Sequence, residues 1–94
     1  MTKLRVAHIH EQGNDMIIVP MNSTFGSQPE STQHETIGGL QVAARSAGLK
    51  GTVVPVWDHG GGRMAFICPP QWKAFFQSIS LQYVARRINR EISW

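Results

Sequence analysis

Apolar and polar residues alternate from Leu4 through Val6, and after the polar cluster Gln12-Gly13-Asn14-Asp15 the chain turns apolar again at Met16-Ile17-Ile18-Val19. Two β-patterned runs around a Gly-Asn-Asp cluster predict a hairpin. Pro20 ends its second strand, because proline has no N–H to give to a ladder. Residues 22–31 are polar and rich in turn formers, which predicts a loop. Thr32-Gln33-His34-Glu35 fits a capping box, and Ile37, Leu40, Ala44 and Ala47 then fall on one face at helical spacing up to Gly48. Gly38-Gly39 lowers the helix propensity, so packing against a sheet has to hold this helix in place.

The pattern then repeats. Thr52 to Trp57 and Met64 to Cys68 read as a second pair of strands around Asp58-His59-Gly60-Gly61-Gly62-Arg63, closed by Pro69-Pro70. In the last helical region Trp72, Phe75, Phe76 and Ile79 share one face, whereas Leu81, Val84, Ala85, Ile88 and Ile92 fall roughly opposite. A break near Ser78 to Ser80, with Ser80 capping a second helix, resolves the conflict. Shifting the chain by 49 residues sets His10 on His59, Gly13 on Gly62, Ile18 on Ile67 and Pro20 on Pro69. The expectation is one domain over 1–94, pseudo-repeated as 1–48 and 50–94. Its fold class is α+β, a ββαββα arrangement with a four-stranded antiparallel sheet, both helices on one face and the other face open or paired with a second copy.

Composition changes this picture little. Ninety-four residues, 41% hydrophobic and 16% charged, make an ordinary globular chain. A chain of that length buries roughly 60 to 65% of its unfolded surface, enough for a core but not for a deep cofactor cavity. The single Cys68 precludes an intrachain disulfide and reads as a small buried hydrophobe in a reduced compartment. With no signal-like apolar stretch near the start, the cytoplasm is the expected location. A formal charge of +3 permits a nucleic-acid partner without requiring one.

Candidate chemistry is sparse. His59-Gly60-Gly61-Gly62 resembles the oxyanion loop of lipases and esterases, but the chain has no Gly-x-Ser-x-Gly elbow to supply a nucleophile. A phosphate loop needs glycines that open a helix, whereas these open a strand, so they serve a turn. His8 and His10 lie on the same side of a strand, with Glu11, His34, Asp58 and His59 as further potential ligands. No three-ligand cluster of recognised spacing exists, so the sequence predicts neither metal nor cofactor. Leu40 to Leu49 resembles the first helix and turn of a helix-turn-helix, but the strand-like Gly51 to Trp57 stands where a recognition helix should follow. What remains is Arg86, Arg87 and Arg90 with Tyr83 on the outer face of the last helix, and His59 and Arg63 at a hairpin tip. Trp57, Trp72 and Trp94 add aromatic surface, with Trp94 placed to dock on the domain or on a partner.

The second half, from Gly51-Thr52-Val53-Val54-Pro55-Val56-Trp57 through Gly60 to Ile67 and Pro70-Gln71-Trp72 to Ile88-Asn89-Arg90-Glu91-Ile92-Ser93-Trp94, resembles a family of small bacterial proteins of unknown function often encoded on integrated mobile elements. The resemblance implies a cytoplasmic accessory protein and carries no activity. Two functions from different classes follow. One is a non-enzymatic protein-interaction module, homodimeric through the open sheet face; the other is a nucleic-acid-binding accessory that uses the arginines of the last helix. Neither involves a membrane.

Overall fold

A computed structural model describes residues 3–11 and 13–93. The fold is α+β, as the pattern predicts, but its sheet has five strands and is mixed. Strands β1 (Lys3–Glu11) and β2 (Asn14–Pro20) form the first hairpin, helix α1 (Glu30–Ser46) follows a 3-10 turn at Ser23–Ser27, and β3 (Thr52–Asp58) and β4 (Met64–Phe66) form the second hairpin. Two short helices, α2 (Lys73–Gln77) and α3 (Leu81–Arg87), lead to a fifth strand, β5 (Arg90–Ser93). The spatial order is β4-β3-β2-β1-β5, antiparallel throughout except for the parallel pair β2–β3. A parallel pair needs a crossover, and the loop and helix between β2 and β3 supply it by carrying the chain back to the end where β2 began.

The expected four-stranded antiparallel sheet is therefore corrected in two places. The hairpins join through a parallel pair, and the segment read as the end of the last helix is β5, with Leu4 opposite Ile92 and Val6 opposite Arg90. Asn89 explains the switch. Its N–H donates to the Val6 carbonyl (3.1 Å), and its side-chain amide donates to His8 O and accepts from His8 N–H, both at 2.9 Å. The amide thus extends the ladder one step beyond the strand. Asn89→Ala is expected to cost about 1 kcal/mol, since the freed groups of His8 reach water; urea unfolding checks it.

The helices do not share a face. Strand residues alternate between two clusters: Val6, Ile17, Val19, Val53 and Ile92 pack under Leu40, Ala43 and Ala44 of α1. Ala7, Met16, Ile18, Val54 and Val56 pack under Trp72, Phe76 and Val84 of the α2–α3 segment. The sheet is thus the middle of three layers, and the open face expected to carry a dimer is covered. Small residues at 43 and 44 let α1 lie close to the strands, as its narrow apolar stripe requires; Val42, on the outer side, is 63% exposed.

Local signals fare unevenly. Ser80 Oγ accepts from Tyr83 N (3.2 Å) and starts α3 after the predicted break. Gly48 follows the C-cap of α1 at φ 79°, with Leu49 N–H closing on Ala44 O (3.0 Å). The capping box does not act. α1 begins at Glu30 behind Pro29, whose fixed φ of −56° opens the helix before Thr32 is reached, without a side-chain cap. Pro55 is buried in β3, where its carbonyl accepts from Ile67 N (3.2 Å) but its nitrogen cannot donate in return. The β4 ladder ends there. Beyond it the side chain of Gln41 takes over, accepting from Val53 N–H (3.0 Å) and donating to Gly51 O (2.9 Å).

Candidate nucleic-acid interface

The chain divides by charge as well as by layer. From Gly60 to Arg90 there are five basic residues, Arg63, Lys73, Arg86, Arg87 and Arg90, and no Asp or Glu. α1 carries Glu30, Glu35 and Arg45, whereas α2 and α3 carry only Lys73, Arg86 and Arg87 as charged residues. The two helical layers therefore differ, α1 being mixed in charge and α2 and α3 cationic.

Beside α3 an open depression of about 400 Å³ is lined by Ser78, Ile79, Ser80, Gln82, Tyr83, Arg86 and Arg87. The two-part architecture of the segment produces it. Val84 is fixed in the core, so residues 82, 83, 86 and 87 turn outward, and the break at 78–80 folds the preceding hydroxyls beside them. Arg87 lies over the Tyr83 ring, 4.8 Å from its centroid. The ring is itself held edge-on against Phe75 at 6.4 Å. A cation–π contact of this kind is worth about 0.5–1 kcal/mol at an exposed site, so Tyr83 serves as a pedestal that aims the guanidinium.

Among the described residues the carboxylate contacts are the Lys3–Glu91 ion pair and the His10–Asp15 and His34–Glu30 contacts, and none engages Arg86 or Arg87. Ser78 Oγ donates to Phe75 O (2.6 Å). Ser80 Oγ spends a lone pair on the cap and keeps its hydrogen. The donors left to the depression are those of Ser80, Gln82, Arg86 and Arg87, and no carboxylate lines it.

The remaining predicted residues scatter. Arg90 belongs to β5, not to the last helix; its pairing with Val6 sends it to the α1 side, and its Nη1 donates to Asn89 O (2.9 Å). His59 and Arg63 are exposed at the β3–β4 turn, where His59 N–H donates to Arg63 O (2.7 Å) and Gly60 N–H to Asp58 Oδ1 (2.8 Å). Gly60, Gly61 and Gly62 all have positive φ (123°, 61° and 80°), so the triple glycine serves a turn that side chains would strain.

The histidines stay apart. His8 Nε2 donates to Lys50 O (2.8 Å), and His10 Nδ1 donates to Asp15 Oδ1 (2.8 Å), a bond that holds the Asp15 carboxyl below its usual pKa. His59 lies after the end of β3 and His10 before the start of the parallel β2, which puts them at opposite ends of the sheet. Among the described residues no group of three or more His, Cys, Asp or Glu is placed to hold a metal. Burial pushes the Cys68 thiol up, against a weaker opposing pull from Lys73, so the thiolate is disfavoured. Trp94 lies outside the described residues. Among the described residues no helix is long and apolar enough to cross a membrane.

Sequence reasoning found Tyr83, Arg86 and Arg87 but missed Ser78 and Gln82. Ser80 was legible only as a cap. The break near 78–80 was the available signal, because a break beside a basic face is what makes a concavity. No family model, curated protein or solved structure matches the chain.

Proposed function

We propose that this domain is a non-enzymatic nucleic-acid-binding accessory that contacts the phosphate backbone through Arg86 and Arg87. The observation that carries the reading is the depression beside α3, lined by two guanidiniums without acidic partners among the described residues together with the Ser80 hydroxyl and the Gln82 amide. Backbone contact is favoured over base stacking, since the Tyr83 ring is already engaged by Arg87 and Phe75. An accessory role also agrees with what the family resemblance implies. Binding through an open sheet face has lost its surface, because both faces are covered.

Fluorescence anisotropy with labelled single-stranded and duplex oligonucleotides tests the reading. The wild type is expected to bind at low salt with an affinity that falls as salt rises. Arg86→Ala/Arg87→Ala is expected to reduce the slope of log K against log salt by about 1.4 to 1.8, the share of two phosphate contacts. Absence of binding to either form at low salt, or an unchanged slope in the double variant, refutes it.

A further inference from the structure

The sheet guards its edges unevenly. Past Pro55 the outer edge of β3 is closed by the Gln41 amide, and past β5 the outer edge of β1 is closed by the Asn89 amide. β5 itself presents Arg90 and Glu91, charges of the kind that discourage edge-to-edge pairing. β4 carries no charge and no amide cap of this kind, and its only guard is its shortness, three residues. It reads Met64-Ala65-Phe66 and continues as Ile67-Cys68, five residues without a charge or a proline. Among the described residues its ladder is with β3 alone.

The register states which groups are open. Residues 63 and 67 bond inward, through His59 N–H to Arg63 O and Ile67 N–H to Pro55 O. By alternation, the N–H and C=O groups of Met64 and Phe66 point outward. On either side of the run lies an apolar hollow. One, of about 250 Å³ on the α1 side, includes His34, Ile37, Ile67 and Cys68; the other, of about 360 Å³, includes Phe66, Cys68, Pro70 and Lys73.

We infer that this edge pairs with β4 of a second copy of the chain, antiparallel and centred on Ala65, to make a continuous ten-stranded sheet. The edge is complementary to itself. Centring on Ala65 exchanges four hydrogen bonds, Met64 of each copy with Phe66 of the other. It also sets the two Ala65 side chains at the close, non-hydrogen-bonded position, where a small residue fits. Arg63 of one copy then stands opposite Ile67 of the other on the α1 side. The dyad is perpendicular to the sheet, which puts both α2–α3 layers on one face of the dimer. The inference stands on the strand edge alone, without the nucleic-acid reading.

Sedimentation equilibrium without nucleic acid tests it, with Ala65→Lys and Ala65→Glu as the paired variants. The wild type is expected to dimerise within a range of about 1 to 500 µM. Each variant sets like charges face to face and is expected to raise the dimer dissociation constant at least about tenfold. An equimolar mixture of the two is expected to recover dimerisation as the Lys–Glu heterodimer. Hydrogen exchange of the wild type needs no variant: the Met64 and Phe66 amides are expected to slow as concentration rises. A wild type that stays monomeric at about 500 µM overturns the inference. So do variants that dimerise undiminished, folded variants whose mixture does not recover, or exchange at Met64 and Phe66 that is independent of concentration.

Discussion

Phe76→Ala is expected to destabilise the protein by about 3–5 kcal/mol, the cost of removing an aromatic ring from a packed core and leaving a cavity. For a domain of this size that lowers the melting temperature by at least about 12 °C, measurable by calorimetry or circular dichroism. Phe76 is 1% exposed and carries more of its layer than its neighbours do. Its ring lies 5.5 Å from Phe66 at the sheet edge and 5.2 Å, edge to face, from Phe75, and Phe75 in turn supports Tyr83. The helices of this layer have five and seven residues, too short to persist without packing. The loss should therefore appear locally as faster amide exchange across α2 and α3 while α1 stays protected. Phe76→Leu, which keeps most of the volume, is expected to cost less than half as much. A change under about 1 kcal/mol for the alanine variant contradicts the two-cluster account of the core.

Gly51→Ala should cost about 3 kcal/mol, although it adds one methyl group at an exposed position. Gly51 has φ 123°, where a side chain is strained, and a Cβ built there runs into the backbone carbonyl of Asp15. Strain of this kind is worth about 1–3 kcal/mol, and the collision adds to it because a ladder carbonyl cannot step aside. The position is where the chain leaves α1 and enters β3 alongside β2, so the parallel pairing depends on this close approach. Gly61→Ala makes the comparison. It also has a positive φ, 61°, but a Cβ there meets nothing, so its cost is strain alone and is expected to stay near 1 kcal/mol. Equal losses at the two sites argue against the contact with Asp15.

Both positions show what the sequence could and could not say. Strands β1 to β4, α1 and the break before α3 were legible, because each rests on local periodicity, turn residues or a cap. The two-sided sheet was not read, although a trace of it was present. Met16-Ile17-Ile18-Val19 and Val53 to Trp57 are buried without interruption. Unbroken apolar runs are what a strand covered on both faces requires, whereas a half-open sheet alternates. β5 was hidden because Ile88 and Ile92 stand four apart, a spacing that suits a helix as well as a chance pair. Only the remote partner, Leu4, decides between them. At the candidate interface, Tyr83, Arg86 and Arg87 followed from helical spacing. Arg90 was misplaced by the same reasoning, since the helix ends at Arg87.

The pairing of β1 with β5 has a kinetic side. Leu4 waits for Ile92, the two separated by nearly the whole chain, and closing a loop of that length is an entropic cost that must be met before the contact stabilises anything. During synthesis the outer edge of β1 stays bare until the residues that will cover it have emerged. The hairpins and α1 can form in the interval, whereas β5 and the Asn89 amide are the last parts of the sheet to emerge.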